Sequence, residues 1–134
     1  MKYIPSIVSA LLGLLFIASS IVVLFNLVQP APEDMPAEGS PAALFMGAIA
    51  PTGMLTLIKV CELVGGLLLI IPRTRNIGLL FLGPIIVNIL AYHALIAEDL
   101  TGSGGTLGMM AFISMAALYL LWVERKAWAG LVRR

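Results

Sequence analysis

Charge is what this chain has least of. Only 11% of its 134 residues are Asp, Glu, Lys or Arg, about half the share found in an ordinary soluble domain. Beside a hydrophobic fraction of 60% and a mean hydropathy of +1.06, that scarcity points to a chain whose solvent is lipid. The net charge is +1, so there is no basic excess to hold nucleic acid. Cys61 is the only cysteine, which excludes an internal disulfide and a dithiol redox pair. His93 is the only histidine. One imidazole cannot supply both ligands of a bis-histidine haem, and the remaining carboxylates do not make a zinc set; no metal site is expected. There is no Gly-x-Ser-x-Gly, no His-Glu-x-x-His and no phosphate loop. The run Thr101-Gly102-Ser103-Gly104-Gly105-Thr106 has neither a following lysine nor a preceding strand, and reads as a flexible turn.

What is present is apolar length. Crossing a bilayer takes about 20 helical residues, and four stretches supply them: Ile4 to Val28, Thr52 to Ile71, Ile77 to Ala97 and Leu107 to Val123. The fold expected is all-α, a single integral membrane four-helix bundle over residues 1–134. The first span begins with Lys2 like a secretion signal, but its apolar core exceeds the roughly 7–15 residues of a cleaved signal, so it reads as a retained helix. Pro30, Pro32, Pro36 and Pro41 break the first loop. The segment Pro41 to Ala50 is too short to cross. It reads as a short interfacial helix, with Ser40 as its cap, Pro41 in its first turn and Pro51 at its end. Pro72 closes the second span, and Gly102, Gly104 and Gly105 loosen the loop before the fourth.

The few charges sort themselves by side. Lys2, Arg73, Arg75, Arg125, Lys126, Arg133 and Arg134 fall on one side of four alternating spans. Glu33, Asp34, Glu38, Glu98 and Asp99 fall on the other. The positive-inside rule then places both termini in the cytoplasm. Tyr3, Trp122 and Trp128 stand at the inner boundary, as interfacial aromatics do. Small residues offer close helix approach: Ser9, Gly13 and Ser20 on the first span, Gly65 and Gly66 on the second, and Gly108, Ala111 and Ser114 on the fourth. They serve packing within the chain or a homo-oligomer face.

Against this apolar background Lys59 and Glu62 stand out. Either group near the bilayer centre costs about 2.5–3.5 kcal/mol on insertion scales. Three residues apart, they share a helix face. At 1.5 Å per residue, Glu62 lies roughly 13 Å, Lys59 roughly 18 Å and Asn88 roughly 16 Å from the inner boundary, with His93 at roughly 24 Å. Lys59, Glu62 and Asn88 therefore share one mid-membrane layer, with Tyr92 and His93 nearer the outer surface. Two readings follow. The pair is a buried fastener completed by Asn88, or it floors a polar pocket that binds a lipophilic head or passes protons. His93 or Tyr92 would suit a quinone carbonyl. Pro84 frees the carbonyl of Leu80 within the third span. Cys61 faces away from the pair and reads as inert packing.

These residues resemble a known family. The run Lys59-Val60-Cys61-Glu62-Leu63-Val64-Gly65-Gly66, continuing to Pro72-Arg73, is similar to the second-helix signature of DoxX and DoxX-like membrane proteins. Gly83-Pro84 through Asn88 to Tyr92-His93 is similar to their third-helix segment. The order of spans fits over the whole chain. Late in the first helix the relatives often carry glycine with aromatics, where this chain reads Ile17-Ala18-Ser19-Ser20. The resemblance implies a small four-helix membrane bundle in a bacterial-type plasma membrane. It makes Lys59, Glu62, Asn88 and His93 the family-like positions. It further implies an accessory subunit of a membrane redox system, with a quinone as the candidate ligand and a membrane or peripheral redox protein as partner. A non-catalytic assembly protein and a small proton-coupled carrier titrating at Glu62 are the other expectations.

Overall fold

The computed structural model describes residues 3–100 and 104–132. Among them every regular element is helical. In chain order these are α1 (Ile4–Leu24), α2 (Pro41–Ile49), α3 (Met54–Ile70), α4 (Arg75–Ala91), α5 (Gly104–Val123) and α6 (Arg125–Val132). A single 3-10 turn, Pro32–Asp34, lies in the first loop, and a π-helical turn, Tyr92–Ile96, extends α4. Three helices are long and apolar enough to cross a membrane, and a fourth span results if α2 and α3, bent by 81°, count as one.

The helix ends have local causes. Pro5 sits in the first turn of α1, where its missing N–H is no loss. At the other end Asn26 takes φ +50, and the Leu27 and Asn26 N–H groups donate to Val22 and Val23 carbonyls at 3.0 and 3.3 Å. That is a Schellman closure with asparagine as the left-handed residue, and it ends α1 four residues earlier than the apolar run. In α2 the Ser40 hydroxyl accepts from the Ala43 N–H at 3.2 Å, so the expected cap forms. Ile71, before Pro72, is extended, as the residue preceding a proline must be. Gly104 and Gly105 are not loop: they form the first turn of α5. Gly102 lies outside the described residues, as do Lys2, Arg133 and Arg134.

Glycine sets how the helices meet. A Cβ on Gly13 would stand 2.7 Å from the Gly66 carbonyl oxygen, and one on Gly66 would stand 2.8 Å from that of Gly13. One on Gly78 would meet the Leu69 nitrogen at 2.6 Å and the Gly65 oxygen at 2.8 Å. Thus α3 is the central helix, in backbone contact with α1 on one side and α4 on the other, and α5 packs on α1 and α4. Leu12, Phe16, Leu69, Leu79, Leu82, Ile113 and Leu120 fill the interior. The small-residue stripe of α5 does not: Gly108 and Ala111 are exposed, because the bulkier Met110–Ile113–Ala117–Leu120 stripe faces inward. Outward-facing positions are as apolar as the core, with Leu14, Leu57, Leu80, Val87, Met115 and Leu118 all more than half exposed. Such a surface is suited to hydrocarbon rather than water.

At the end of the bundle where α1 and α4 begin, Arg75 is buried. Its guanidinium donates to Glu124 at 3.3 Å and to the Ser6 hydroxyl at 3.4 Å. It thereby ties the starts of α1 and α4 to the α5–α6 junction. Beside it, Arg125 stacks over Trp122 at 4.2 Å from the ring centre. Replacing Glu124 with Ala strands the buried guanidinium and is expected to cost about 1.5–3 kcal/mol, the range for a hydrogen bond to a charged group. Arg73→Gln, at an exposed site, should stay within about 0.5 kcal/mol. Thermal unfolding in detergent compares the two.

Candidate functional site

The Gly13–Gly66 crossing fixes the register of α1 against α3. With the helices antiparallel, residues whose numbers sum to about 79 lie level, which brings Ser19 to Lys59. The Lys59 ammonium donates to Glu62 at 2.8 Å and to the Ser19 hydroxyl at 3.1 Å. Glu62 retains 2% exposure and the Lys59 side chain 14%. The carboxylate is covered by protein and its charge is matched within its own helix, so the pair has the geometry of a fastener between α3 and α1.

Asn88 does not join it. Numbering across the Gly65–Leu82 contact places Asn88 at the level of Lys59, as the depth count expects. However, α4 buries Leu79, Leu82 and Ile86, and Asn88 follows Ile86 by two residues, or about 200° of helix rotation. Its side chain is exposed on the opposite face. The layer is therefore shared in depth and divided in direction.

Tyr92 and His93 belong to a separate place. There α4 relaxes into the π turn, with the Ala97 N–H donating to the Tyr92 carbonyl at 2.8 Å. Glu98 then takes φ +52, a left-handed conformation that is costly for a glutamate. The reversal returns Asp99 to His93, whose Nδ1 stands 2.7 Å from Asp99 Oδ1. An ionised carboxylate only accepts, so Nδ1 carries the proton and donates, which leaves Nε2 as the ring's other polar atom. The Tyr92 ring packs on Phe45 of α2 at 5.3 Å and edge-on to His93 at 5.2 Å. Between this turn, α2 and the proline-rich loop lies an open cavity of about 840 Å³. Tyr92, His93 and Asp99 line it on one side, with Met46, Pro36 and Ile96 supplying apolar wall. Its size is within the range of small-molecule sites, about 300–1,000 Å³. Asp34 and Glu98 also border it, and among the described residues no lysine or arginine does.

Of the five sequence candidates, then, two form the ion pair, two line the cavity and one faces outward alone. Two partners escaped the sequence reading. Ser19 was signalled only by the glycine register. Asp99 was signalled by being the carboxylate just beyond the turn that holds His93. A second cleft of about 440 Å³ lies between α3 and α4 and is apolar, lined by Cys61, Leu80 and Phe81 among others. Cys61 is a free thiol there. Among the described residues no three His, Cys, Asp or Glu side chains converge.

These features define a class: an all-helical protein with membrane-length apolar helices, an internal ion pair and a polar-ended cavity beside its α2–α4 junction. Comparison with family models, with curated proteins and with solved structures returns no match.

Proposed function

We propose that this chain is a DoxX-like four-span bundle of a bacterial-type plasma membrane. In this reading it serves as an accessory subunit of a membrane redox system and binds a quinone or a similar neutral amphipathic molecule in the cavity at Tyr92, His93 and Asp99. The observation that carries the proposal is the His93–Asp99 dyad in the wall of that cavity. A quinone head presents two carbonyl acceptors on an apolar ring. The Tyr92 hydroxyl supplies a donor to one carbonyl. His93, its Nδ1–H held by Asp99, offers Nε2 as an acceptor that suits a hydroxyl of the reduced, quinol form, and Met46 and Ile96 supply apolar contact. The carboxylates around the cavity disfavour an anionic ligand. The four-span reading takes α3 as the second span, with α2, turned 81° from it, lying at the membrane surface, and the positive-inside rule puts both termini in the cytoplasm and the cavity on the outer side.

Titration of the purified protein in detergent with a short-chain ubiquinol, followed by calorimetry, tests the reading. Saturable binding is expected. His93→Leu should weaken it about tenfold or more, the equivalent of one hydrogen bond to a polar ligand group, and Asp99→Asn should weaken it less. Binding that ignores both substitutions would sink the proposal.

A second reading, a non-catalytic assembly protein, draws support from the buried Lys59–Glu62 pair, which is complete without a ligand. It assigns the same fastener to α3 and requires no occupant in the cavity.

A further inference from the structure

Asn88 is the one polar feature of the α4 outer face, and it has no reason to be there in a monomer. Its carboxamide brings two donors and two acceptor lone pairs. Among the described residues none of them is met, since no hydrogen bond reaches its side chain. Ile77, Phe81 and Pro84 lie within about 40° of it on a helix wheel, and all are exposed. Pro84 lies inside α4 and cannot donate to the Leu80 carbonyl one turn below, so a backbone acceptor opens on this side as well. In the four-span reading, on which this inference rests, the face meets hydrocarbon. There an unmet amide is costly.

We propose that this face of α4 is the contact surface of a homodimer, with Asn88 hydrogen-bonded to Asn88 of a second copy. The argument for a second copy is complementarity. Two identical chains inserted the same way and related by a two-fold axis along the membrane normal place the same residue at the same depth. A carboxamide is both donor and acceptor, so it pairs with itself. Lipid tails offer it nothing. The stripe carries no charge that would select a charged partner. Its flanking side chains are apolar and supply the packing on which membrane helix contacts depend. The cavity at His93 and the Lys59–Glu62 pair both lie within one chain, so failure of the dimer leaves the ligand reading intact, and the reverse also holds.

The test is the monomer–dimer equilibrium in phosphatidylcholine–phosphatidylglycerol vesicles, read by single-molecule photobleaching of labelled protein over a range of protein-to-lipid ratios. Wild type should dimerise. Asn88→Leu should weaken dimerisation about 3- to 30-fold, the span reported by interhelical hydrogen bonds in membranes, and Asn88→Gln should restore most of it. Asn88 is exposed and the leucine is apolar, so the fold should survive. In a Cys61→Ala background, Phe81→Cys should form an oxidative crosslink, whereas Leu118→Cys, exposed on α5, should not. A monomer at every density overturns the proposal and assigns the face to lipid or to a different protein. A dimer indifferent to Asn88→Leu, or crosslinked through Leu118→Cys instead, overturns it as well.

Discussion

Glu62→Leu is expected to destabilise the protein by about 3–5 kcal/mol, the cost of leaving one member of a buried ion pair unmatched. Lys59 keeps only the Ser19 hydroxyl as a partner, and a neutral hydroxyl does not replace a carboxylate at 2.8 Å. The double variant Lys59→Met, Glu62→Leu is expected to recover most of that loss. With both charges gone neither desolvation cost remains, and two apolar side chains of similar volume fill the α1–α3 seam. Unfolding by a graded fraction of denaturing detergent, monitored by far-UV circular dichroism, gives both numbers. A double variant as unstable as the single one would mean that each charge has its own partner, and the fastener account would fail.

Gly66→Val comes next in size. Even a single added carbon would lie 2.8 Å from the Gly13 oxygen and 3.0 Å from Ile17. The first obstacle is backbone, which cannot rotate aside. Overpacking costs about 1–3 kcal/mol where side chains can yield, and here a helix must move, so the loss is expected at about 3 kcal/mol. The same displacement would carry Ser19 away from Lys59, because the crossing sets that register. Gly83→Ala and Gly108→Ala are the controls. Nothing lies within 4 Å of a Cβ at either place, and alanine favours the helix by about 1 kcal/mol over glycine. Those two variants should be neutral or slightly more stable in the same detergent titration.

The helices were legible because apolar length and proline breaks are one-dimensional signals. Ser40 and Pro41 announced α2, and Ile71 before Pro72 announced the end of α3. The pairing of Lys59 with Glu62 was equally plain, since three residues bring two side chains to one face whatever surrounds them. Direction was harder to read. The α4 helix is apolar on all sides, so no polar stripe marks its outer face, and depth alone placed Asn88 beside the pair. The buried series Leu79, Leu82 and Ile86 is written in the sequence, but equally apolar residues at Leu80, Phe81 and Val87 mask it. The cavity site was half visible. His93 and Tyr92 drew notice as polar groups near a helix end. The return of Asp99 depends on a π turn and a left-handed Glu98, neither of which follows from residue type. The α5 start was misread because glycine is a turn signal in water, whereas in an apolar run it tolerates helix.

The central claim divides the polar residues into a structural pair and a ligand cavity. Mass spectrometry of lipids extracted from the purified protein tests it most directly, performed on wild type, on Lys59→Met with Glu62→Leu, and on His93→Leu. The account predicts a quinone near stoichiometry with wild type, retained by the double variant and depleted by His93→Leu. A quinone lost from a folded Lys59→Met, Glu62→Leu protein but kept by His93→Leu would contradict it, and would return the ligand to the ion pair.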